Sequence, residues 1–343
     1  MIKKILQEGF ILKTKGYYKP AIEAFYKALE HDNTSSELLL EIADCYYSMG
    51  EEERALNYIE QILEKAPTHI DTLKLLKLIF VNKKAWPEAE QTGKNIYLIS
   101  QKSEDLVEIF DLLIKQEKYS EIFEYKSDIC TVEILFQKAL AKMHLNQLEE
   151  AEQLVNQALE SSSNNDLIFL KCKILYKKNQ KDESIELLKK LNIDKTNHEM
   201  INFIGLIKQY ECDFKSALEY FKEALKLAPS KDEYYYNCAS TYFKIGDLQQ
   251  AKRFYNLAIS LEPNNQHYHF ALANLYYSEK QYKRALEELN YDFFEAKLLK
   301  MIILYDSGYI AVAKRELNKL ILEQPENELV IAYKEKIEAE LRI

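Results

Sequence analysis

Six histidines and five cysteines are the side chains of this 343-residue sequence best suited to hold a metal or act as nucleophiles, and their spacing favours neither chemistry. A zinc site needs three or four converging ligands. His267 and His269 are two residues apart, which on a helix sends them to different sides, and no third ligand lies nearby in sequence. Cys45, Cys130, Cys172, Cys212 and Cys238 are odd in number and include no close pair, so neither a CxxC site nor a disulfide framework is offered. There is no P-loop, GxGxxG, GxSxG, HExxH or DxDxDG motif. Runs such as Glu51-Glu52-Glu53 suit the positive end of a helix better than a catalytic carboxylate pair. Catalysis by this chain is therefore not expected, nor is a cofactor or a metal.

What must position the remaining residues is set by composition. Seven glycines and six prolines, about 2% each against averages of about 7% and 5%, are too few for the hairpins of a β-sandwich or for nucleotide-binding loops. Hydrophobic residues make up 47% of the chain, enough for a large core and too many for disorder. An all-α protein is the expectation. Forty-six basic against 55 acidic residues leave a net charge of −9, unlike a binder of phosphate backbones. Unpaired cysteines fit reduced thiols and a cytoplasmic setting. The start, MIKKILQEGF, reaches Gln7 and Glu8 too early for a signal-peptide core. Leu73 to Val81 is interrupted by Lys74 and Lys77, so no membrane insertion is expected.

One alanine then sets a period. PAIEAFYKALEHD, RALNYIEQILEKAP, SALEYFKEALKLAP, QAKRFYNLAISLEP and RALEELN align on Ala21, Ala55, Ala217, Ala251 and Ala285. Ala89, Ala151 and Ala313 fill the same slot, with Phe123 and Ser184 in weaker copies. Successive spacings are 34, 34, 34, 28, 33, 33, 34, 34 and 28 residues, which makes ten copies. The two short copies lack about six residues of a second helix or its exit turn. Lys138 and Lys300, in the copies that follow, land on a nominal core position, which suggests a phase error of one residue there.

The pattern resembles the tetratricopeptide repeat, in which W-x2-L-G-x2-Y, A-x3-F and P recur over 34 residues. With the alanine at position 20, one copy reads Tyr235, Cys238, Ala239, Tyr242, Gly246, Ala251, Tyr255, Ala258 and Pro263, and another Leu39, Ile42, Ala43, Tyr46, Gly50, Ala55, Ile59, Ile62 and Pro67. The resemblance implies an all-α α-solenoid, a right-handed superhelix of about ten helix-turn-helix repeats. Their boundaries would be 2–35, 36–69, 70–103, 104–131, 132–164, 165–197, 198–231, 232–265, 266–293 and 294–325, with a C-terminal capping helix over 326–343. Small residues at positions 8 and 20 would let the two helices approach closely, and glycine at position 15 would end the first.

In the resembled family, ligands meet positions 2, 5, 9, 12 and 13 of the first helices, which line a concave groove. Projected onto this chain, those positions are rich in aromatic rings from the sixth repeat onward: Phe169, Tyr176, Tyr210, Tyr236, Phe243, Phe270 and Tyr277. Asn202, Asn237 and Asn274 lie among or beside them, with Lys173, Lys177 and Lys244. Rigid amphipathic rings bind peptide at low entropic cost, and carboxamides can bond an extended backbone. The competing reading is that these rings pad helix seams. Position 2 is acidic in eight of ten repeats, as helix N-termini prefer. The basic clamp some members use for acidic tails is not reproduced, since its slots read Lys3, Leu6, Phe10 and Glu41. The implied function is a non-enzymatic interaction scaffold for a protein or peptide, with a regulatory or assembly subunit of a catalytic partner as the alternative; no nucleic acid is expected.

Overall fold

Breakers on both sides of a small-residue slot call for hairpins of short helices, and hairpins are what the computed structural model contains. It describes residues 2–30, 35–125, 130–162, 164–192 and 194–340. Among these residues there is no strand, and consecutive helices pack in pairs. The chain divides into two units, residues 1–191 and 192–343.

In the first unit, α1 (Ile2–Thr14) pairs with α2 (Tyr18–Leu29), α3 (Ser36–Ser48) with α4 (Glu52–Lys65), and α5 (Ile70–Asn82) with α6 (Trp86–Ser100). Next come α7 (Ser103–Lys115) with a 3-10 helix (Tyr119–Glu124), α8 (Val132–His144) with α9 (Leu148–Ser161), and α10 (Asn165–Lys177) with α11 (Lys181–Leu188). The second unit holds α12 (His198–Tyr210) with α13 (Phe214–Leu227), α14 (Asp232–Ile245) with α15 (Leu248–Leu261), α16 (Gln266–Ser278) with α17 (Tyr282–Glu288), and α18 (Phe294–Asp306) with α19 (Ile310–Glu323). A single helix, α20 (Glu328–Glu340), packs on α19.

The pairs close on the small-residue slot. Ala21, Ala55, Ala89, Ala151, Ala217, Ala251, Ala285 and Ala313 are all fully buried. Opposite them, position 8 is small where position 24 is a ring. A Cβ on Gly205 would lie 2.6 Å from Cε1 of Phe221, and one on Gly9 would lie 2.8 Å from Cε1 of Phe25. A side chain there would force the ring to shift. Ser184 replaces the alanine in the sixth pair, and its buried hydroxyl donates to the Cys172 carbonyl at 2.8 Å. That bond satisfies a polar group that would otherwise cost about 1–3 kcal/mol to bury.

Turns inside the pairs share a left-handed residue. It is glycine at Gly16, Gly50, Gly246 and Gly308, but Lys84, Glu117, Asn146, Asn179, Cys212 and Lys280 take the same conformation elsewhere. Asparagine tolerates it through local hydrogen bonding; the others accept roughly 1–2 kcal/mol of strain each. These residues also settle the register. Glu117, not Lys118, is the left-handed residue of the fourth pair, and Ile122 is fully buried, so the slot there is Ile122 and not Phe123. In the fifth and tenth pairs the phase holds: Ala139 and Met301 are buried while Lys138 is half-buried and Lys300 exposed. Both lysines follow pairs with a short second element. Truncated α17 leaves a cleft in which Lys300 lies beside Asn290 and Glu323.

The shortened fourth pair is tied by a polar network. Glu90 on α6, 4% exposed, receives Lys94 at 2.5 Å, Lys118 at 2.8 Å and Gln116 at 2.9 Å. Burial pushes its carboxyl up, but the bonds from Lys118, Lys94 and Gln116 outweigh it and hold the group below the usual carboxylate range.

The slot makes a direct prediction. Ala217→Leu and Ala251→Leu should each destabilise the fold by roughly 1–3 kcal/mol in denaturant titrations, through overpacking. Ala311→Leu, at an exposed position of α19, should be near neutral. Equal losses at all three would remove the slot as the determinant of helix approach.

Candidate protein-interaction face

The first helices of the second unit touch one another side by side, α12 with α14, α14 with α16, α16 with α18 and α18 with α20. Polar side chains one repeat apart link them. Asn237 Nδ2 donates to Asn202 Oδ1 at 3.0 Å, and Gln209 Nε2 donates to Thr241 Oγ1 at 2.7 Å. Thr241 in turn donates to the Asn237 carbonyl at 2.7 Å. Tyr268 donates to Asp232 at 2.6 Å, Tyr277 to Asp306 at 2.5 Å, and Tyr305 to Glu340 at 2.7 Å. Burial, then the neighbouring carboxylate, pushes the Tyr268 and Tyr277 hydroxyls well above the ordinary phenol range, so both remain protonated donors.

The residues expected to contact a ligand divide under this geometry. Asn202 and Asn237 are buried and bonded to each other, so they fasten α12 to α14. Tyr236 stacks on Tyr268 at 5.1 Å between centroids and tilts against Tyr255 at 5.7 Å; burial raises its hydroxyl. It is a seam residue. Phe270 meets the edge of Phe293 at 5.5 Å, and Asn274 Nδ2 donates to the Phe270 carbonyl at 3.1 Å within α16. Phe243, Phe270 and Tyr277 pack against the cluster around Leu272 and Leu275 but stay half-buried. Tyr210 and Lys244 are exposed.

On α10, in the first unit, Phe169 is buried beneath Lys173, whose Nζ lies 5.1 Å from the ring centre. Tyr176 is half-buried with Lys181 over its ring at 5.4 Å, and Lys177 is exposed.

Sequence reasoning missed Asp232, Thr241, Gln209, Tyr268, Tyr305 and Asp306. Their signal is a polar pair separated by close to one repeat: 35 residues for Asn202 and Asn237, 36 for Asp232 and Tyr268, and 35 for Tyr305 and Glu340.

Burial pushes Cys45 up to about 11 and Cys172 and Cys238 up to about 12, which leaves inert thiols. Among the described residues, no three His, Cys, Asp or Glu side chains are grouped to hold a metal ion, and no helix is long and apolar enough to cross a membrane.

Comparison with known proteins agrees with the architecture. Family models described as tetratricopeptide repeat match residues 15–92 and 211–269, and residues 132–165. The chain is 23% identical over 279 residues to Pre-mRNA-splicing factor 6 of Saccharomyces cerevisiae, covering 72% of this chain and 30% of that protein. It is 29% identical over 90 residues to TPR repeat-containing protein YsoA of Bacillus subtilis, covering 26% and 27%. The match therefore spans less than a third of either relative's length. A solved structure, the APC/C hetero-tetramer Cut9-Hcn1, superposes with a TM-score of 0.64 over 98% of this chain and 76% of that one, at 12% identity. At that identity the fold is what is shared.

The asparagine pair yields a prediction. Asn237→Ala should cost roughly 1–3 kcal/mol, because it strands the buried Oδ1 of Asn202. Replacing both by leucine should recover part of the loss, read as a negative coupling in a double-mutant cycle. Additive losses would show that the two carboxamides do not act as a pair.

Proposed function

Because the chain belongs to the tetratricopeptide repeat family, we propose that it is a non-enzymatic protein–protein interaction scaffold that holds a peptide or protein segment along the first helices of residues 192–343. The observation that carries this reading is the set of rings on α14 and α16, Phe243, Phe270 and Tyr277. They pack on a common core yet keep one side open, beside exposed Lys244 and Tyr210. A ring fixed by its neighbours loses little rotamer freedom when a ligand covers it. The links from Asn202 to Asn237 and from Tyr277 to Asp306 hold the helices in register, so the face is organised before a ligand arrives. Within the first unit, and considered by itself, α10 presents exposed Lys177 and the Lys173 stacked on Phe169, positive charge that suits an acidic segment. In this proposal residues 2–325 form ten repeats and a capping helix follows.

Crosslinking mass spectrometry in the native cell identifies the partner, and Ala variants then test the face. Phe243→Ala and Tyr277→Ala should each weaken partner binding by about 1–2 kcal/mol or more; the melting temperature should fall further for Tyr277→Ala, which also breaks the bond to Asp306. Tyr236→Ala should instead lower the melting temperature, since the ring stacks within the seam. Normal binding by folded Phe243→Ala and Tyr277→Ala variants would place the partner elsewhere.

A further inference from the structure

Position 7 of a first helix is a core position in most pairs: Ile42, Ile109, Ile204, Cys238 and Leu272 are all buried there. Three helices carry a lysine instead. Lys171 donates to Asn156 of the pair before it at 2.7 Å. Lys138 and Lys300 each follow a pair whose second element is short, the six-residue 3-10 segment and the seven-residue α17. The other second helices of residues 192–343, α13, α15 and α19, have 14 residues each. The missing half of α17 amounts to about two turns, roughly 10 Å of helix.

The cleft beside α17 has a volume of about 330 Å³. Leu289 and Leu320, both buried, form its apolar floor. Three lysines and three carboxylates stand around them; the count cancels, but the pairing does not. Lys297 takes two of the carboxylates, Glu323 at 2.6 Å and Asp292 at 2.9 Å. The bonds it donates to Glu323 and then Asp292 raise its ammonium above the ordinary lysine range, so it stays charged. Lys319 takes the third carboxylate, Glu316, at 3.0 Å. Lys300 is left exposed and has no ion pair among the described residues.

We propose that this cleft receives an acidic segment of a partner protein, one carboxylate bonding Lys300 and an adjoining apolar side chain covering Leu289 and Leu320. A single unpaired ammonium matches a single negative charge. A phosphate dianion would have to detach Lys297 or Lys319 from its carboxylate, and a nucleic-acid backbone would meet Asp292, Glu316 and Glu323. The site is separate from the proposed face of Phe243, Phe270 and Tyr277, since it lies at positions 4 and 7 of α18 and along α19. Its ion pair is at the surface, so binding weakens as salt rises.

Zero-length carbodiimide coupling tests the placement. A labelled synthetic peptide of Leu and Glu is coupled to the full chain, and the amide-linked lysine is read by mass spectrometry. Coupling should be stronger at Lys300 than at Lys226, an exposed lysine of α13. In fluorescence anisotropy, Lys300→Gln should weaken peptide binding about two- to fivefold, the range of an exposed ion pair, and Lys226→Gln should leave it unchanged. A matched peptide of Leu and Gln should bind the wild type and Lys300→Gln alike. The melting temperature of Lys300→Gln should equal that of the wild type, which separates a lost contact from a lost fold. Absent coupling, equal coupling at both lysines, or equal affinity of the Leu and Glu peptide for the wild type and Lys300→Gln would overturn the proposal. So would loss of coupling at Lys300 in Phe243→Ala, since the peptide would then occupy the first-helix face.

Discussion

The contact on which the rest depends is the approach of two helices through a methyl group. With alanine at position 20 and glycine or alanine at position 8, the helix backbones draw near enough for a ring at position 24 to fill the remaining space. Gly205 under Phe221 is the tightest case. Each pair so closed buries its slot completely, yet its outer faces remain apolar and require a neighbour. Within each unit such pairs gain stability by stacking, each contacting the next.

The slot was legible in the amino-acid sequence because eight pairs place a fully buried alanine there, Ala217 and Ala251 among them. Position 15 was legible only in part. Glycine marks it in four turns, but Cys212 and Lys280 adopt the left-handed conformation because the pair on either side enforces it. In the fourth pair, where the second element is a single 3-10 segment and no alanine occupies the slot, the register slipped by one residue. Lys138 and Lys300 looked misplaced only because their uncovered surroundings were not yet visible.

The first-helix face was harder to read. Family positions brought Phe243, Phe270 and Tyr277 to one surface, but they could not distinguish a ring that faces solvent from one that faces a neighbour. Phe169 occupies the same nominal position as Phe270 and is buried, and Tyr236, also at that position, stacks on Tyr268. Asn202 and Asn237 read as groups for a peptide backbone, and one hydrogen bond joins them to each other. Polar links between successive repeats are invisible in any single copy, since each half is an ordinary tyrosine, aspartate or asparagine until its partner one period away is considered. That ladder keeps the half-open rings in register, which is what a preorganised binding face needs.

If stability is built pair by pair, it cannot be uniform, and native-state hydrogen exchange measures this most directly. Amides of α12 to α15, in two complete pairs, should show the strongest protection in the second unit. Those of the seven-residue α17, next to the cleft at Lys300, should exchange by local opening at markedly lower free energy. A single protection level shared by α12 through α19, lost together in one global transition, would contradict an architecture held by nearest-neighbour contacts.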